Sequence, residues 1–490
     1  MVCLARGSPL STRQPVFNSS SIMYNLAFMP SLAQLDRKVL WHPFTQQTEW
    51  EKGIHEDILV ISRGRGAYLY DSKGKRYFDA VSSLWVNLFG HNEPSIDRAV
   101  ERQLKRVAHS TFLGLTHEPG IRLAKELLAV APKNLSRVFY SDNGSTAVEV
   151  ALKMAFQYHA QAPGGRTRSR FLTLKNSYHG DTLGAVSVGG IGLFHKKFRP
   201  LLFKNHTVMS PHCAPCPHNK RPPARLEDYE YRGEDPRPGD SREKTACRWE
   251  CLGQAEAVLK KHSKEIAATV VEPVVQGAGG MLTAPPGYLK GLSRLCRKYR
   301  VLLIVDEVAT GFGRTGKVFA CGLEDVLPDI LCAAKGISGG YLPLAATLAT
   351  EKIYNAFLGR YEDFKTFFHG HSYTGNPLAC SAGLASLALL KKRLKSASFK
   401  GTLKAFRDGL ARLSRLPRVR QARSAGLMAG VEIVGDEKER AGKKICMKLR
   451  EYGVLMRPLG NVLVLVPPLS STSKEIGSLM DRVSHAIREH

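Results

Sequence analysis

The sequence has few acidic side chains. Its 490 residues include 43 Asp and Glu against 71 Lys and Arg, which gives a formal net charge of +28 at pH 7. Such an excess occurs in nucleic-acid-binding proteins, and it also occurs on basic surfaces that attract anionic substrates. The basic residues are spread along the chain, which carries neither a zinc-finger nor an aromatic RNA-binding signature. We therefore expect small-molecule substrates and no nucleic-acid partner.

A disulfide framework and long apolar runs are also missing. Ten cysteines in 490 residues are too few for a disulfide scaffold. No apolar run of about 18 residues is present, so no membrane span is predicted. The first 35 residues contain no Asp or Glu, which is typical of a transit peptide and also fits an extension without a structural role. We expect a cytoplasmic protein, with an organelle as the alternative location.

Strands and helices alternate through the middle of the chain. A helix is predicted at 145–159, where Ala147, Val150, Ala151 and Met154 lie on one side. Continuous apolar runs favour strands of the buried, parallel kind, and together they predict an α/β fold with a mostly parallel sheet. The predicted strands are 138–141, 170–174, 268–273, 301–308, 329–335 and 344–350.

The pattern changes after Pro377. An Ala- and Leu-rich helix (378–392) precedes two apolar strands and a last helix with a capping box, Thr472 with Glu475. This pattern predicts a smaller α+β domain, which the early part of the chain is expected to join. The predicted segments are a poorly ordered extension (1–34), the small domain (35–85 and 380–490), the large domain (86–379) and, within it, a loop insertion (205–250).

One glycine motif suggests a dinucleotide site. Gly311, Gly313 and Gly316 spell G-x-G-x-x-G, but such a site needs the glycines directly at a strand end, opening a helix. Here several residues follow Asp306 before the first glycine, and no helical pattern comes after the last. The spacing therefore argues against a dinucleotide site.

Asp306 and Lys335 each end an apolar strand. Ligands of open α/β sheets bind at such carboxyl ends, and a buried carboxylate must be paired or neutralised. A structural salt bridge is one interpretation, and a pair that serves one ligand is the other. Pyridoxal phosphate (PLP) requires this pair, because a lysine binds its aldehyde and a carboxylate holds its pyridine nitrogen protonated.

Two further motifs fit the same cofactor. Gly144 and Ser145 open a predicted helix, where backbone amides bind phosphate. Tyr178 and His179 follow a strand and supply an aromatic ring for the cofactor face. Each motif is weak alone, but their joint occurrence in this order predicts a PLP site.

The ordered motifs resemble class III (subgroup II) aminotransferases of PLP fold type I. They are SDNGSTAVEVALK, NSYHGDTLG, VVEPVVQGAGG, IVDEVATGFGRTG, ILCAAKGISGG and HGHSYTGNPLAC, and the resemblance covers roughly residues 35–490. It implies an enzyme, a transamination reaction, PLP as the cofactor and a homodimer with shared active sites.

The resemblance also implies roles for single residues. Lys335 matches the lysine that forms the Schiff base with PLP and moves the substrate proton, and Asp306 matches the partner of the pyridine nitrogen. Gly144 and Ser145 match the phosphate-binding turn, and Tyr178 matches the ring that stacks on the cofactor. Positions beside the cofactor are matched by His179, Glu272 and Gln276.

Substrate-binding positions follow from the same comparison. Arg457 matches an arginine that clamps a substrate carboxylate, a role that suits its bidentate guanidinium, and Arg314 matches a second active-site arginine. The remaining implied substrate contacts are Phe44, Trp85, Tyr178 and Gly370.

Three positions depart from the family pattern. Ser372 stands where a threonine often reaches the partner subunit's phosphate, and it keeps the hydroxyl. Leu84 precedes Trp85 where some members have two tryptophans, and Phe44 stands where some have tyrosine. The last two changes lie where the amino donor and an apolar substrate chain are expected, so they leave the donor open.

Four stretches resemble the family members that make 7,8-diaminopelargonate from 7-keto-8-aminopelargonate in biotin biosynthesis. They are WHPFTQ (41–46), SSLWVNLFGHNEPSID (82–97), GLTHEPGIRLAKEL (114–127) and GVLMRPLGNVLVLVPP (453–468). S-adenosylmethionine is the expected donor, with lysine as the alternative. The alternative enzyme is another class III omega-aminotransferase, of the ornithine, γ-aminobutyrate or diamine type.

The insertion contains a cysteine cluster. Cys213 and Cys216 are spaced C-x-x-C, and Cys247 and Cys251 follow about 30 residues later. Four thiols suffice for a tetrahedral zinc site, which would order an irregular loop. The alternative is four unpaired thiols in a variable loop, and the sequence alone does not decide between the two.

Overall fold

The computed structural model describes residues 31–53, 58–161, 167–214, 216–218, 230–231 and 248–490. The chain divides into two compact units at Ile61. The first contains α1 (Leu32–Val39) and α2 (Gln47–Glu51). In it the Asp36 carboxylate accepts hydrogen bonds from His42 Nε2 and Trp50 Nε1, each at 3.0 Å.

The second unit begins at Ser62 and contains four sheets among its described residues. The strands, of which the first starts at the unit boundary, are β1 (Ile61–Arg65), β2 (Tyr68–Asp71), β3 (Arg76–Asp79), β4 (Leu135–Ser141), β5 (Arg170–Leu174), β6 (His206–Val208), β7 (Glu230–Tyr231), β8 (Ile266–Val271), β9 (Val275–Gln276), β10 (Leu282–Thr283), β11 (Leu302–Asp306), β12 (Ile330–Ala333), β13 (Ala345–Thr350), β14 (Val419–Ala425), β15 (Met428–Ile433), β16 (Val454–Leu455), β17 (Pro458–Leu459) and β18 (Val462–Leu465).

Helices connect these strands. They are α3 (Ser82–Trp85), α4 (Pro94–Leu104), α5 (Glu118–Val130), α6 (Gly144–Gln161), α7 (Leu183–Ser187), α8 (Gly192–His195), α9 (Glu250–His262), α10 (Tyr288–Lys298), α11 (Glu351–Asn355), α12 (Pro377–Lys395), α13 (Ala397–Leu413), α14 (Ala441–Glu451) and α15 (Ser473–Arg488).

A seven-stranded sheet forms the centre of this unit, in the order β4-β13-β12-β11-β8-β5-β6. The five strands from β12 to β6 run parallel, and every residue of β8, β11 and β12 is buried. β13 is antiparallel to both neighbours. The structure therefore confirms the α/β fold with a mostly parallel sheet. The apolar runs predicted these strands because strands that are buried on both faces need continuous apolar sequence.

The C-terminal segments form smaller sheets. One has the order β17-β18-β15-β14-β7, and another has the order β1-β2-β3-β16, in which β3 and β16 are parallel. Residues 61–79 thus share a sheet with the C-terminal region. The boundary expected at residue 380 falls inside α12, which already begins at Pro377. α15 carries the predicted capping box of Thr472 and Glu475.

The insertion at 205–250 is more than a loop. It includes β6, which extends the central sheet, and β7, which pairs with β14. Three-residue and two-residue strands are too short to give an alternating pattern, so the sequence did not reveal them. No helix among the described residues is long and apolar enough to cross a membrane.

Candidate active site

A cavity of about 670 Å³ opens where the parallel strands end. Asp306 is the last residue of β11, Glu272 follows β8 directly, and Lys335 lies two residues beyond β12. This is the edge where ligands of open α/β sheets bind. The predicted residues that line the cavity are Trp85, Gly144, Ser145, Tyr178, His179, Glu272, Asp306 and Lys335.

A buried histidine–carboxylate pair forms the floor of the site. His179 Nδ1 lies 2.7 Å from Asp306 Oδ2, and neither side chain is more than 3% exposed. Burial alone would lower the pKa of His179, but hydrogen bonding and charge from Asp306 outweigh it and raise that pKa. The pair therefore favours a cationic imidazole beside the Asp306 carboxyl group, which lines the cavity.

Lys335 begins a 3-10 helix with φ of 48° and projects into the same space. Its Nζ lies 4.8 Å from the centroid of the Trp85 ring, which is within the range of a cation–π contact. The enclosing walls lower the pKa of Lys335, although Asp306 and Glu272 act in the opposite direction. A neutral amine is therefore more accessible here than in water, as a nucleophile requires.

Glu272 and Tyr178 form one side of the cavity. The Glu272 carboxylate accepts from the backbone N–H of Tyr178 at 3.0 Å and of Gly277 at 2.9 Å. Burial raises the pKa of Glu272 to about 7. The Tyr178 hydroxyl donates to Asp181 at 2.7 Å, and burial and that carboxylate raise its pKa. The phenol is thereby fixed as a neutral donor.

The N-terminus of α6 supplies an anion-binding turn. Asn143 caps it, with Oδ1 accepting from Thr146 N at 3.0 Å, so the backbone N–H groups of Gly144 and Ser145 lie at the helix start. Gly180, with φ of 123°, packs against this turn. A Cβ at Gly180 would lie 2.0 Å from Ser145 Oγ, so only glycine allows the approach.

Trp85 stands on an unusual backbone turn. Ser82, Ser83, Leu84 and Trp85 all have positive φ, between 40° and 73°. Left-handed conformation costs roughly 1–2 kcal/mol for each L-residue, and it normally occurs at single positions. Four in succession require support from the surrounding structure.

Buried polar groups hold this left-handed turn in place. Asp79 Oδ2 accepts from Ser83 N at 2.6 Å and Ser83 Oγ at 2.9 Å, and it lies 3.1 Å from His91 Nε2. Ser82 Oγ donates to the carbonyl of Val466 at 2.7 Å. Hydrogen bonds therefore hold the turn at both serines, and they set the position of the Trp85 ring.

Arg314 does not line the cavity. Its side chain is 1% exposed, and Nη1 and Nη2 donate to the carbonyls of Pro467 and Asn87 at 2.7 and 3.1 Å. Burial lowers the pKa of Arg314 to about 9, against the effect of Asp79. The substrate contact inferred by resemblance is thus not part of this geometry, and Arg314 instead joins the segment after Trp85 to the C-terminal region.

Four other expected residues are not among those that line the cavity. Arg457 is exposed between β16 and β17, and Gly370 and Ser372 are exposed in the segment before α12. Phe44 belongs to the first unit, where it is 59% exposed with φ of 49°. Their substrate and phosphate contacts remain predictions.

The cysteine cluster is only partly described. Cys213 and Cys251 are buried and Cys216 is partly buried, whereas Cys247 lies outside the described residues. The zinc hypothesis for this loop therefore stays a prediction.

The sequence missed several residues of the cavity wall. Asn143 and Asp181 lie there, together with Ser338 and the segment 340–344. Asn143 had a readable signal, since it is a strong N-cap residue directly before a helix. The loop after Lys335 gave none, because its position depends on packing between distant segments.

The cavity fits PLP by the chemistry of its donors. The buried Asp306 suits a protonated ring nitrogen, the turn at Gly144 suits a phosphate, and the partly desolvated Lys335 amine suits an aldehyde. Tyr178 brings an aromatic face to the same space. One ligand thus explains features on four separate loops.

Comparison with known proteins is consistent with this geometry. Residues 50–487 match the aminotransferase class-III family. The adenosylmethionine-8-amino-7-oxononanoate aminotransferase of Nitratidesulfovibrio vulgaris is 48% identical over 465 residues, which cover 93% of this chain and 81% of the relative. The crystal structure of the enzyme of that name from Methanocaldococcus jannaschii has 41% identity and a TM-score of 0.83, covering 94% of this chain and 98% of that one.

More distant aminotransferases share the fold. A thermostable omega transaminase variant from Pseudomonas jessenii is 28% identical with a TM-score of 0.81, over 94% of this chain and 98% of that one. The likeness extends across almost the whole of both chains. The chain belongs to the class III aminotransferase family.

Proposed function

We propose that the chain transfers an amino group to 8-amino-7-oxononanoate (7-keto-8-aminopelargonate) and forms 7,8-diaminopelargonate for biotin biosynthesis. The observation that carries the proposal is the Lys335–Asp306–His179 constellation in a chain whose relatives of 42–48% identity bear the name of this activity over more than nine-tenths of its length. S-adenosylmethionine is the proposed donor, since it appears in that name, and lysine is the alternative.

PLP is the cofactor of this family, and when bound it supplies an electron sink at the carbon that bears the amino group. Asp306 would keep the ring nitrogen protonated, with His179 fixing the orientation of the carboxylate. The N–H groups at the start of α6 would bind the phosphate, and Tyr178 would cover one face of the ring. These residues would bind and orient the cofactor.

Lys335 is the proposed acid and base. Burial lowers the pKa of its amine, so the neutral form that accepts a proton is more accessible than it is for a lysine in water. The contact of Nζ with the Trp85 ring stabilises the ammonium form once the proton has moved. The same amine can then return the proton to a neighbouring atom.

Arg457 is proposed to bind the substrate carboxylate. It lies at the turn between β16 and β17, and a guanidinium binds a carboxylate in a bidentate manner. Trp85 would contact the apolar substrate chain. Arg314 is left out of this proposal, because both of its terminal nitrogens donate to backbone carbonyls.

A homodimer and a cytoplasmic location complete the proposal. Ser372 is exposed and does not line the cavity of its own chain, which fits a hydroxyl that serves the phosphate of the partner subunit. The resemblance implies the same shared arrangement.

Product formation tests the proposal. The holoenzyme is incubated with 8-amino-7-oxononanoate and one amino donor at a time, which is S-adenosylmethionine, lysine, ornithine or γ-aminobutyrate. Diaminopelargonate is then measured by mass spectrometry. We expect product with S-adenosylmethionine or lysine, and no product from Lys335→Ala. Turnover of ornithine or γ-aminobutyrate with other keto acids, without any diaminopelargonate, would favour the alternative omega-aminotransferase.

A further inference from the structure

A cluster of two histidines and a glutamate lies at the opposite edge of the central sheet. His206 is the first residue of β6, Glu265 immediately precedes β8, and His262 ends α9. The candidate active site occupies the carboxyl ends of the same parallel strands. A six-residue strand such as β8 spans about 20 Å, so this cluster is separate from the chemistry proposed above.

The three side chains converge closely. One possible ligand atom from each lies within 4.8 Å of the other two. His206 Nε2 is 3.2 Å from Glu265 Oε1, His262 Nδ1 is hydrogen-bonded to that oxygen, and the two imidazole centroids are 4.3 Å apart. Ligands at 2.0–2.1 Å from a tetrahedral zinc ion are roughly 3.3 Å apart, so a small outward movement would accommodate an ion.

Exposure and charge also suit a metal. The side chains of His206, His262 and Glu265 are 24%, 28% and 45% exposed, so solvent reaches the cluster from one side. A carboxylate and two imidazoles form the N₂O donor set of many zinc sites, and water would complete the coordination.

The cluster joins the elements that flank the insertion. The chain leaves β6 at Val208, passes through the insertion and returns into α9 at Glu250. His206 and His262 stand at the outer ends of these two elements, and Glu265 connects them to the central sheet. A metal ion here would hold the C-terminal end of α9 against the N-terminal ends of β6 and β8, at the ends of β6 and α9 that point away from the insertion.

We propose that His206, His262 and Glu265 form a structural site for a borderline divalent transition metal such as Zn²⁺. Imidazole nitrogens favour this class of ion over Mg²⁺ or Ca²⁺, which prefer all-oxygen sites. The site acts on the packing of α9 against the central sheet rather than on the transamination.

Calorimetric titration of the PLP-loaded enzyme with ZnCl₂, after chelator treatment, tests the site. We expect His206→Ala and His262→Ala each to bind one zinc ion fewer than the wild-type enzyme. Zinc at 100-fold excess over its Kd should raise the wild-type unfolding midpoint by about 3 °C more than it raises that of either variant. Any zinc bound by the cysteines of the insertion would be bound equally by the wild type and both variants. It therefore does not affect the difference in zinc stoichiometry between them.

His485→Ala is the matched control, since His485 also pairs with a glutamate, Glu489, and these two have no third metal-binding side chain beside them among the described residues. It should bind as much zinc as the wild type. The cofactor absorbance and circular dichroism of each variant verify its fold, and His206→Gln repeats the test with a smaller change of volume. Equal zinc stoichiometry in the wild type and both histidine variants would overturn the proposal, and so would an equal loss in His485→Ala.

Discussion

At the scale of single residues, the site depends on groups that are costly to bury. Asp306 is 3% exposed and His179 is fully enclosed, and an unpaired charge at such a depth would be strongly unfavourable. Pairing with His179 offsets that cost and fixes the direction of the carboxylate. The sheet edge therefore presents a negative charge of defined position, which is what a ring nitrogen requires.

Asp306→Asn should abolish most of the activity while the fold persists. The amide oxygen can still accept from His179, but the negative charge is lost. Loss of a buried charged interaction of about 3 kcal/mol corresponds to roughly a 100-fold fall in kcat/KM. Asp329→Asn is the matched control, because Asp329 precedes the neighbouring strand and its Oδ2 accepts from Leu303 N at 2.8 Å. A similar fall in both variants would show that the effect is structural.

Glu272 should make the stability of the enzyme depend on pH. Its pKa is about 7 in the folded state against an ordinary value of 4.5. A raised folded-state pKa gives stability that is complete below about pH 4.5 and is lost as the pH rises through about 7. The difference amounts to about 3 kcal/mol. Urea unfolding of the apoenzyme from pH 4.5 to 8 should show this slope, and Glu272→Gln should remove it. Parallel curves for the two proteins would contradict the prediction.

The sequence identified the proposed cofactor residues in the cavity better than it identified the residues expected to bind the substrate. Lys335 and Asp306 end apolar strands, so their place at the sheet edge could be read from position alone, whereas Glu272 was assigned by resemblance. Arg314 was assigned to the substrate by resemblance, yet the structure buries it against the carbonyls of Pro467 and Asn87. Those two carbonyls lie far apart in the sequence, so no local pattern could reveal the contact.

At the scale of secondary-structure elements, long apolar strands were predictable and strained turns were not. β5 has the predicted bounds, and β8 and β11 were each predicted within a few residues. The antiparallel direction of β13 was not read, because apolar content is the same in either direction. The left-handed turn at 82–85 contains no glycine, so nothing in its composition marks positive φ.

Asp79→Asn should release the left-handed turn. An amide oxygen in the place of Oδ2 carries no charge, so the three contacts weaken, and the strain at Ser82–Trp85 then favours another backbone conformation. We expect a loss of about 2–3 kcal/mol in stability and a rise in KM that exceeds the fall in kcat. The tryptophan emission of the apoenzyme should change, and this change should be absent when Trp85→Phe is already present.

Asp71→Asn provides a control of the same type in the neighbouring hairpin. Asp71 is buried and accepts from Lys73 N, Lys75 N and the Tyr77 hydroxyl, each at 2.9 Å. This variant should lose comparable stability and keep the wild-type KM and apoenzyme emission. If Asp71→Asn changed these two quantities as much as Asp79→Asn does, the specific role of the left-handed turn would be lost.

At the scale of the whole molecule, a cavity lined by one chain is not the complete proposed site. Ser372 is exposed, and it is absent from the cavity wall of its own chain. Arg457 is also off that wall, whereas the cofactor residues lie on it together. A closed, symmetric dimer would bring the same exposed segment of each subunit to the other, and then both sites would be completed alike.

Complementation between two inactive variants tests this arrangement. Lys335→Ala removes the catalytic amine, and Ser372→Glu places a negative charge where a phosphate is expected, so each homodimer should be inactive. The heterodimer of the two variants is purified through two different tags. If Ser372 serves the partner's site, the site of the Lys335→Ala subunit carries both changes and the other site carries neither. About half of the wild-type specific activity should return. If Ser372 served its own chain, each site of the heterodimer would carry one change and no activity would return. Ser372→Thr, which keeps the hydroxyl, should remain active throughout and shows that position 372 tolerates a larger side chain.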